Sequence, residues 1–249
     1  GGYVCGPVVY AASRLGIPTL IHEQNVVPGL TNKFLSRYAD AIAVSFAESV
    51  PLFGGRDRVF HAGNPCASTV RGASRSKGFA SLGLAEGTPF ALVVGGSRGA
   101  QALNDCMVAM APMAERLPGV HFVFVTGETY YEETKKKIGA AASGASGRVH
   151  VLPYVHNMPE VLAAATLVVG RAGATSLAEI TSLGVPSILV PSPNVTNNHQ
   201  EPNARSLVNA GAAEMLLERE LTADRLFGRI AAIMGDARLR GGMASAARA

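Results

Sequence analysis

The sequence predicts an α/β protein built on parallel sheets in two units, the first of them incomplete. Three observations carry this. Short β-branched apolar runs alternate with amphipathic stretches along the chain, the pattern of strands covered by helices on both faces. Glycine is abundant, at 28 of 249 residues, while aromatics make up 6% and tryptophan is absent, which suits many tight strand-to-helix turns. One stretch, "ASTVRGASRSKGFASLGLAEGT" (67–88), interrupts the alternation with Ser, Gly and Arg, as a connection between units does.

Taken in order, "TLIH" (19–22), "AIAVSF" (41–46) and "VFHAGN" (59–64) read as strands. "GLTNKFLSRYA" lies between the first two and reads as a helix with Leu30, Phe34, Leu35 and Tyr38 on one face. After a linker at 68–88 that includes a short helix, a second series starts at Phe90. Its strands are "FALVVGG" (90–96), "VHFVFVT" (120–126), "RVHVLPYV" (148–155), "TLVVG" (166–170), "VPSILVP" (185–191) and "AEMLLE" (213–218). Helices fall near 100–116, 129–142, 158–165, 174–183 and 200–210, with two more near 222–234 and 236–248. Six strands make a complete Rossmann-like unit (89–249); three strands in 1–67 do not. "GGYVCGP" at the start has no initiator Met and reads as the interior of a domain, so the chain is expected to be a fragment.

Composition excludes several function classes. Three scattered cysteines, Cys5, Cys66 and Cys106, with no CxxC pairing, speak against a disulfide framework or a zinc site. No apolar run reaches the ~18 residues of a spanning helix. A net charge of +4 without aromatics interleaved in a basic stripe gives no footprint for nucleic acid. There is no HExxH or H-x-E spacing, no GxSxG elbow and no Walker A loop. His121 and His150, inside apolar strands, read as packed or edge residues.

In open parallel sheets, ligands bind beyond the carboxyl ends of the strands, where helix N-termini present free N–H groups. "VVGGSRGAQALN" (93–104) offers Gly95, Gly96 and Gly99 for close backbone approach and the Ser97 hydroxyl at the helix mouth. It reads equally as a turn that only packs helix on strand. "GRAGATSLAE" sets small residues at the next helix start, whose amides suit a diphosphate without a metal. Glu179, about one turn further in, suits a ribose diol, although a helix-dipole glutamate is the plainer reading of that residue alone. Asn197, Asn198, His199 and Gln200 open another helix with amides fit for sugar hydroxyls or for a plain polar cap. His22, Glu23, Gln24 and Asn25 end a strand in the first unit and suggest the other wall of a cleft.

Together "GGYVCGP", "HEQNVVPGLTN", "GNP", "VVGGSRGAQALN", "RAGATSLAEI", "GVPSILVPSP" and "NNHQEPNARSLVNAGAA" resemble, in order and along nearly the whole chain, the MurG-type glycosyltransferases. These are the UDP-N-acetylglucosamine:undecaprenyl-diphospho-muramoyl-pentapeptide N-acetylglucosaminyltransferases of peptidoglycan synthesis. The resemblance implies the GT-B architecture and metal-free, inverting transfer of GlcNAc from UDP-GlcNAc to the lipid-linked acceptor. It implies that Ser97 and the amides of Ala174, Thr175 and Ser176 hold the diphosphate and that Glu179 takes the ribose hydroxyls. It further implies that the Val155 backbone pairs with uracil and that Gln200 and Asn25 bind GlcNAc. A peripheral place on the cytoplasmic face of the bacterial inner membrane follows, with Lys33 and Arg37 available to anionic lipid. The family's GNPxR pattern has Ala67 at its Arg position, with Arg71 the nearest Arg. Its N-terminal GxGGTxGH loop, which carries a candidate base, is absent, so the fragment alone is expected to be inactive. The alternatives are a non-catalytic UDP-sugar-binding subunit or another GT-B glycolipid transferase.

Overall fold

The computed structural model describes residues 2–54, 57–141 and 147–248. Its first unit is a parallel three-stranded sheet, β1 (Leu20–Glu23), β2 (Ala41–Val44) and β3 (Val59–His61), in the order β1-β2-β3. Helix α1 (Cys5–Arg14) precedes it and α2 (Leu30–Leu35) joins its first two strands. The core there is small: Ile21, Leu35, Ala39, Ile42, Val44 and Phe53. No residue of α1 is buried. Only Val9 of that helix packs, partly buried, on this core, and its exposed Val8 and Tyr10 blur the apolar stripe by which periodicity would reveal it. On α2 the expected face is corrected. Leu30, Phe34 and Tyr38 are exposed, while Asn32 and Leu35 point inward.

The second unit is a parallel six-stranded sheet whose four central strands are buried along nearly their whole length, while the edge strands are only partly covered. Its strands are β4 (Phe90–Val94), β5 (His121–Val125), β6 (Val149–Leu152), β7 (Leu167–Gly170), β8 (Ser187–Leu189) and β9 (Ala213–Met215). Their order is β6-β5-β4-β7-β8-β9. Alternate residues serve opposite faces, as strand geometry requires. Ala91 and Val93 pack with Leu103, Phe122, Phe124 and Ile230, whereas Phe90 and Leu92 pack with Phe79, Val123, Val168 and Ile180. The covering helices are α5 (Gln101–Met110), α6 (Tyr131–Ala141), α7 (Met158–Ala164), α8 (Ala174–Leu183), α9 (Gln200–Asn209), α10 (Ala223–Gly235) and α11 (Ala237–Arg248). The helix expected over 100–116 tightens into a 3₁₀ turn at Ala111–Arg116, where Pro112 lacks an amide donor. The helix expected over 129–142 has its last residue outside the described residues.

The stretch expected as a linker is more structured than its composition implies. It carries α3 (Cys66–Val70) and α4 (Arg75–Ser81), and Phe79 and Leu84 lie in the core beneath β4. Gly78 is there for packing. A Cβ at that position would stand 2.1 Å from the Glu160 carbonyl oxygen, so α4 and α7 touch backbone to backbone. The two units also touch: α3 lies on α8, with the Ser182 hydroxyl donating to the Ala67 carbonyl at 3.1 Å. Phe46 from the first unit packs against Ala172, Leu177 and Leu207 of the second.

Candidate functional site

Connections from β4 run to one side of the sheet and those from β7 to the other, so a crevice opens beyond their carboxyl ends. The two glycine-rich turns meet there. After β4, Gly95 and Gly99 are close-packed: a Cβ would lie 2.6 Å from the Ala100 amide at the first and 2.0 Å from the Thr126 carbonyl oxygen at the second. Gly99 also has φ +74°, and its amide donates to the Gly96 carbonyl at 2.9 Å, closing a tight turn that leaves Ser97 exposed at the tip. After β7, Gly173 is extended and α8 begins at Ala174 without a side-chain cap. The first intrahelical bond there runs from the Leu177 amide to the Gly173 carbonyl at 3.0 Å. The amides of Ala174, Thr175 and Ser176 are therefore the free donors of that helix start.

A cavity of about 430 Å³ occupies the crevice. Five of the eight predicted residues line it: Ser97, Val155, Thr175, Ser176 and Glu179. Val155 is buried, while Tyr154 beside it is exposed with its ring 5.0 Å from that of His156. Burial raises the Glu179 pKa above the usual glutamate value. Arg171 lines the same cavity, but its guanidinium is held by the Val190 carbonyl at 3.1 Å and by Glu218 at 2.5 Å.

The other three predicted residues sit around it. Gln200 lines an adjoining cavity of about 370 Å³ that shares Arg171, and its side-chain oxygen accepts from the Ser192 amide at 2.9 Å. Ala174 faces a cavity of about 720 Å³ between the units. Asn25 lies outside the 430 Å³ cavity's walls: its side-chain oxygen accepts from Asn203 at 3.0 Å and its amide group donates to Glu23 at 3.3 Å. Of the polar run before α9, Asn198 donates to Glu201 at 3.0 Å and His199 meets the Thr196 carbonyl at 2.8 Å, so both make local contacts and neither side chain caps the helix. Asn197 and Asn198 hold left-handed backbone, φ +57° and +46°, which asparagine tolerates better than most residues.

The first-unit loop is organised by Glu23, a buried carboxylate. Its two oxygens accept from the Asn25 amide at 3.0 Å, the Gly29 amide at 3.0 Å and the Asn32 side chain at 2.8 Å. His22 meets the Gly63 carbonyl at 3.0 Å and the Ser45 hydroxyl at 3.1 Å, which ties the ends of three strands. Arg71, one turn after Ala67, reaches Ser182 at 3.4 Å and lines the inter-unit cavity. It does not line the cavity of Ser97 and Glu179. Asn203, Arg171 and Glu218 were not singled out from sequence. Asn203 and Arg171 fall inside the family motifs NNHQEPNA and RAGATSLAEI, but nothing local shows their partners, which lie far along the chain.

Two parallel-sheet units with a crevice at a strand-order switch define the class: an α/β protein built to hold a ligand at helix N-termini. The model described as the glycosyltransferase family 28 C-terminal domain matches residues 90–248, and that of the N-terminal domain matches residues 1–44. The chain belongs to glycosyltransferase family 28. A Halalkalibacterium halodurans relative named UDP-N-acetylglucosamine–N-acetylmuramyl-(pentapeptide) pyrophosphoryl-undecaprenol N-acetylglucosamine transferase is 53% identical over 94% of this chain and 63% of its own. A Bacillus cereus relative of the same name, numbered 1, is 50% identical over all of this chain and 67% of its own. Among solved structures, Acinetobacter baumannii MurG is similar with a TM-score of 0.78 and 32% identity, covering all of this chain and 67% of that one. A putative UDP-N-acetylglucosamine 2-epimerase from Listeria monocytogenes, with a TM-score of 0.72 and 14% identity, shares the fold alone. The chain spans about two thirds of the length of these relatives.

Proposed function

We propose that this chain carries the donor half of a UDP-GlcNAc-dependent N-acetylglucosaminyltransferase that acts on a lipid-linked muramoyl-pentapeptide. One observation carries the reading. A single cavity collects a hydroxyl (Ser97), an unsatisfied helix start (Thr175, Ser176), a half-buried carboxylate one turn further in (Glu179) and a buried backbone segment (Val155). Those groups match, in turn, a diphosphate, a ribose diol and a pyrimidine edge.

In this reading the acceptor C4 hydroxyl attacks the anomeric carbon of GlcNAc from the face opposite UDP. The bond to the diphosphate oxygen breaks, UDP leaves with the electron pair, and the hydroxyl proton passes to a base outside the residues named here. The diphosphate gains negative charge as it leaves, and preorganised amides at the start of α8 stabilise it without a metal ion. Ala67 stands where the family pattern has an Arg and offers no charge, so in this reading the amides carry that task. Gln200 and Asn25 approach the sugar from the adjoining pocket and from the first unit. Asn25 keeps one N–H and one oxygen lone pair beyond its bonds to Glu23 and Asn203.

The acceptor's lipid tail places the reaction at a membrane surface, on the cytoplasmic face in this reading. Among the described residues no helix is long and apolar enough to cross a membrane. Exposed Leu30, Phe34 and Tyr38 stand beside exposed Lys33 and Arg37, an apolar and basic combination suited to an anionic lipid surface. Calorimetric titration with UDP-GlcNAc, UDP-galactose and NADH tests the donor assignment. Selective binding of UDP-GlcNAc is the expected result; equal binding of all three, or of none by a folded protein, would overturn it.

A further inference from the structure

The side chain of Asn203, fully buried on α9, makes three hydrogen bonds, and they reach three separate parts of the site. Its oxygen accepts from the Val26 amide at 2.9 Å. Its nitrogen donates to the Asn25 side-chain oxygen at 3.0 Å and to the Ala172 carbonyl at 3.3 Å. The neighbours fix which end is which: a backbone N–H must face the oxygen and a backbone carbonyl must face the nitrogen. Ala172 precedes the Gly173 cap of α8, and Gln200 begins the helix that carries Asn203. One neutral amide therefore joins the turn that presents the α8 amides, the helix that presents Gln200, and the first-unit loop that presents Asn25.

That loop is held from its other side as well. The Ser49 hydroxyl lies 3.0 Å from the Asn25 carbonyl and 3.0 Å from that of Val26, and Glu23 grips Asn25 from below. Asn203 is thus the link through which an already rigid loop is registered against the second unit. One turn further along α9, Ser206 donates to Glu48 of the first unit at 2.6 Å, a second and exposed tie on the same helix face. The chemistry needs an amide. Aspartate has no donor for Asn25 or Ala172, and an aliphatic residue leaves the buried Ala172 carbonyl and the part-buried Val26 amide and Asn25 oxygen without this partner.

We propose that Asn203 is a positioning residue, an inter-unit latch that sets the distance between Asn25 and the nucleotide cavity and so gives the enzyme its grip on the donor's sugar rather than on its nucleotide. This rests on the donor reading above. The test measures UDP and UDP-GlcNAc affinities together with the distance between spin labels placed on the two units. It uses the unsubstituted protein, Asn203→Ala, Asn203→Asp, Asn25→Ala and the double variant Asn25→Ala with Asn203→Ala.

UDP affinity is expected to stay within about twofold in Asn203→Ala, while the extra affinity conferred by GlcNAc falls about tenfold and the label distances broaden. Adding Asn25→Ala should then cost nothing more, since Asn203 acts through Asn25. In Asn203→Asp the sugar increment should recover as pH falls, because the protonated carboxyl regains a donor for the Asn25 oxygen; a mere packing role gives no such dependence. Parallel losses of UDP and UDP-GlcNAc, additive effects of the two alanines, or unchanged distances would overturn the proposal. If the buried variants do not fold, Glu48→Ala and Ser206→Ala carry the test on the same helix face. Broadened distances with a reduced sugar increment support it and unchanged values overturn it. Failure of the donor reading is a separate outcome, absence of UDP binding by the unsubstituted protein, and the latch is then judged on the label distances alone.

Discussion

Glu179→Gln tests the ribose assignment with almost no change in side-chain volume, and it acts in opposite directions on the free protein and on the complex. In the free protein, burial raises the Glu179 pKa above its ordinary 4.5. The folded state then holds the proton more tightly than the unfolded state, so stability falls as pH rises through the window above 4.5. At pH 7 the carboxylate is a small liability, and the glutamine variant should unfold at a slightly higher Tm, with the difference disappearing toward pH 4. In the complex, a hydrogen bond to a charged acceptor contributes about 1.5–3 kcal/mol. Glutamine has no charge and one of its ends donates, so at least one ribose hydroxyl loses its acceptor. The Kd for UDP should therefore rise roughly ten- to a hundredfold. Calorimetry with UDP and 2′-deoxy-UDP on both proteins, alongside thermal unfolding, supplies the decisive cycle. Removing the 2′-hydroxyl should weaken binding to the unsubstituted protein and matter little to the variant. Losses that simply add, or an unchanged UDP affinity in a variant of raised Tm, would refute the assignment.

Four further expectations follow from the geometry. Gly99→Ala combines left-handed backbone with a Cβ 2.0 Å from the Thr126 carbonyl oxygen, so the urea midpoint should drop by the equivalent of about 3 kcal/mol or more and UDP binding should go with it. Gly96→Ala, left-handed but facing open space, should cost only about 1–2 kcal/mol on the same measurement. Burial pushes the Cys106 thiol up to about 11, so at pH 8 an aromatic disulfide reagent should label exposed Cys5 at once and Cys106 only as the protein unfolds. His121 and His150 meet nitrogen to nitrogen at 2.9 Å; both pKa values are lowered, chiefly by burial and then by Arg148 for the first and by its partner for the second. The folded state resists their protonation, so the stability they permit is present above 6.5 and lost as pH falls below it. Denaturant midpoints measured from pH 7 to 5 should fall less steeply for His150→Gln.

What was legible in the sequence was whatever is local. All nine strands of the described residues were visible, the central ones because strands buried on both faces write themselves as continuous apolar runs. The α8 helix, Ala174–Leu183, was bounded correctly by Gly173 before it and by Gly184 after it, the latter in the left-handed form that ends helices. The cavity was legible only in part, its two glycine-rich turns from local pattern and Val155 from the family resemblance alone. Its residues come from three turns that the order of a parallel sheet brings to one edge, so motif and place coincide. Helix α1, which buries no residue fully, escaped, and where one short helix was expected in the connection the fold has two, Gly78 reading as a loop residue while its missing side chain lets α4 touch α7.

The arrangement between the units was not legible, and the reason is physical rather than a shortage of motifs. Asn25 and Gln200 were picked out as two walls of one cleft, and nothing in either stretch says how far apart the walls stand. That distance is set by Asn203, whose partners Asn25 and Val26 lie 178 and 177 residues away. A buried asparagine in a helix reads as an ordinary polar position until its partners are known. The same holds for Arg71, which by spacing alone is the natural stand-in for the Arg that Ala67 replaces. In the fold it turns to Ser182, six residues beyond Ser176, the last free amide of the helix start, and lines a different cavity. The positive end of the proposed diphosphate site is thus left to the α8 amides. Since that potential comes from fixed dipoles rather than from a flexible cation, its strength depends on the order of the α8 start, whose first turn is closed by the Leu177 amide donating to the Gly173 carbonyl at 3.0 Å.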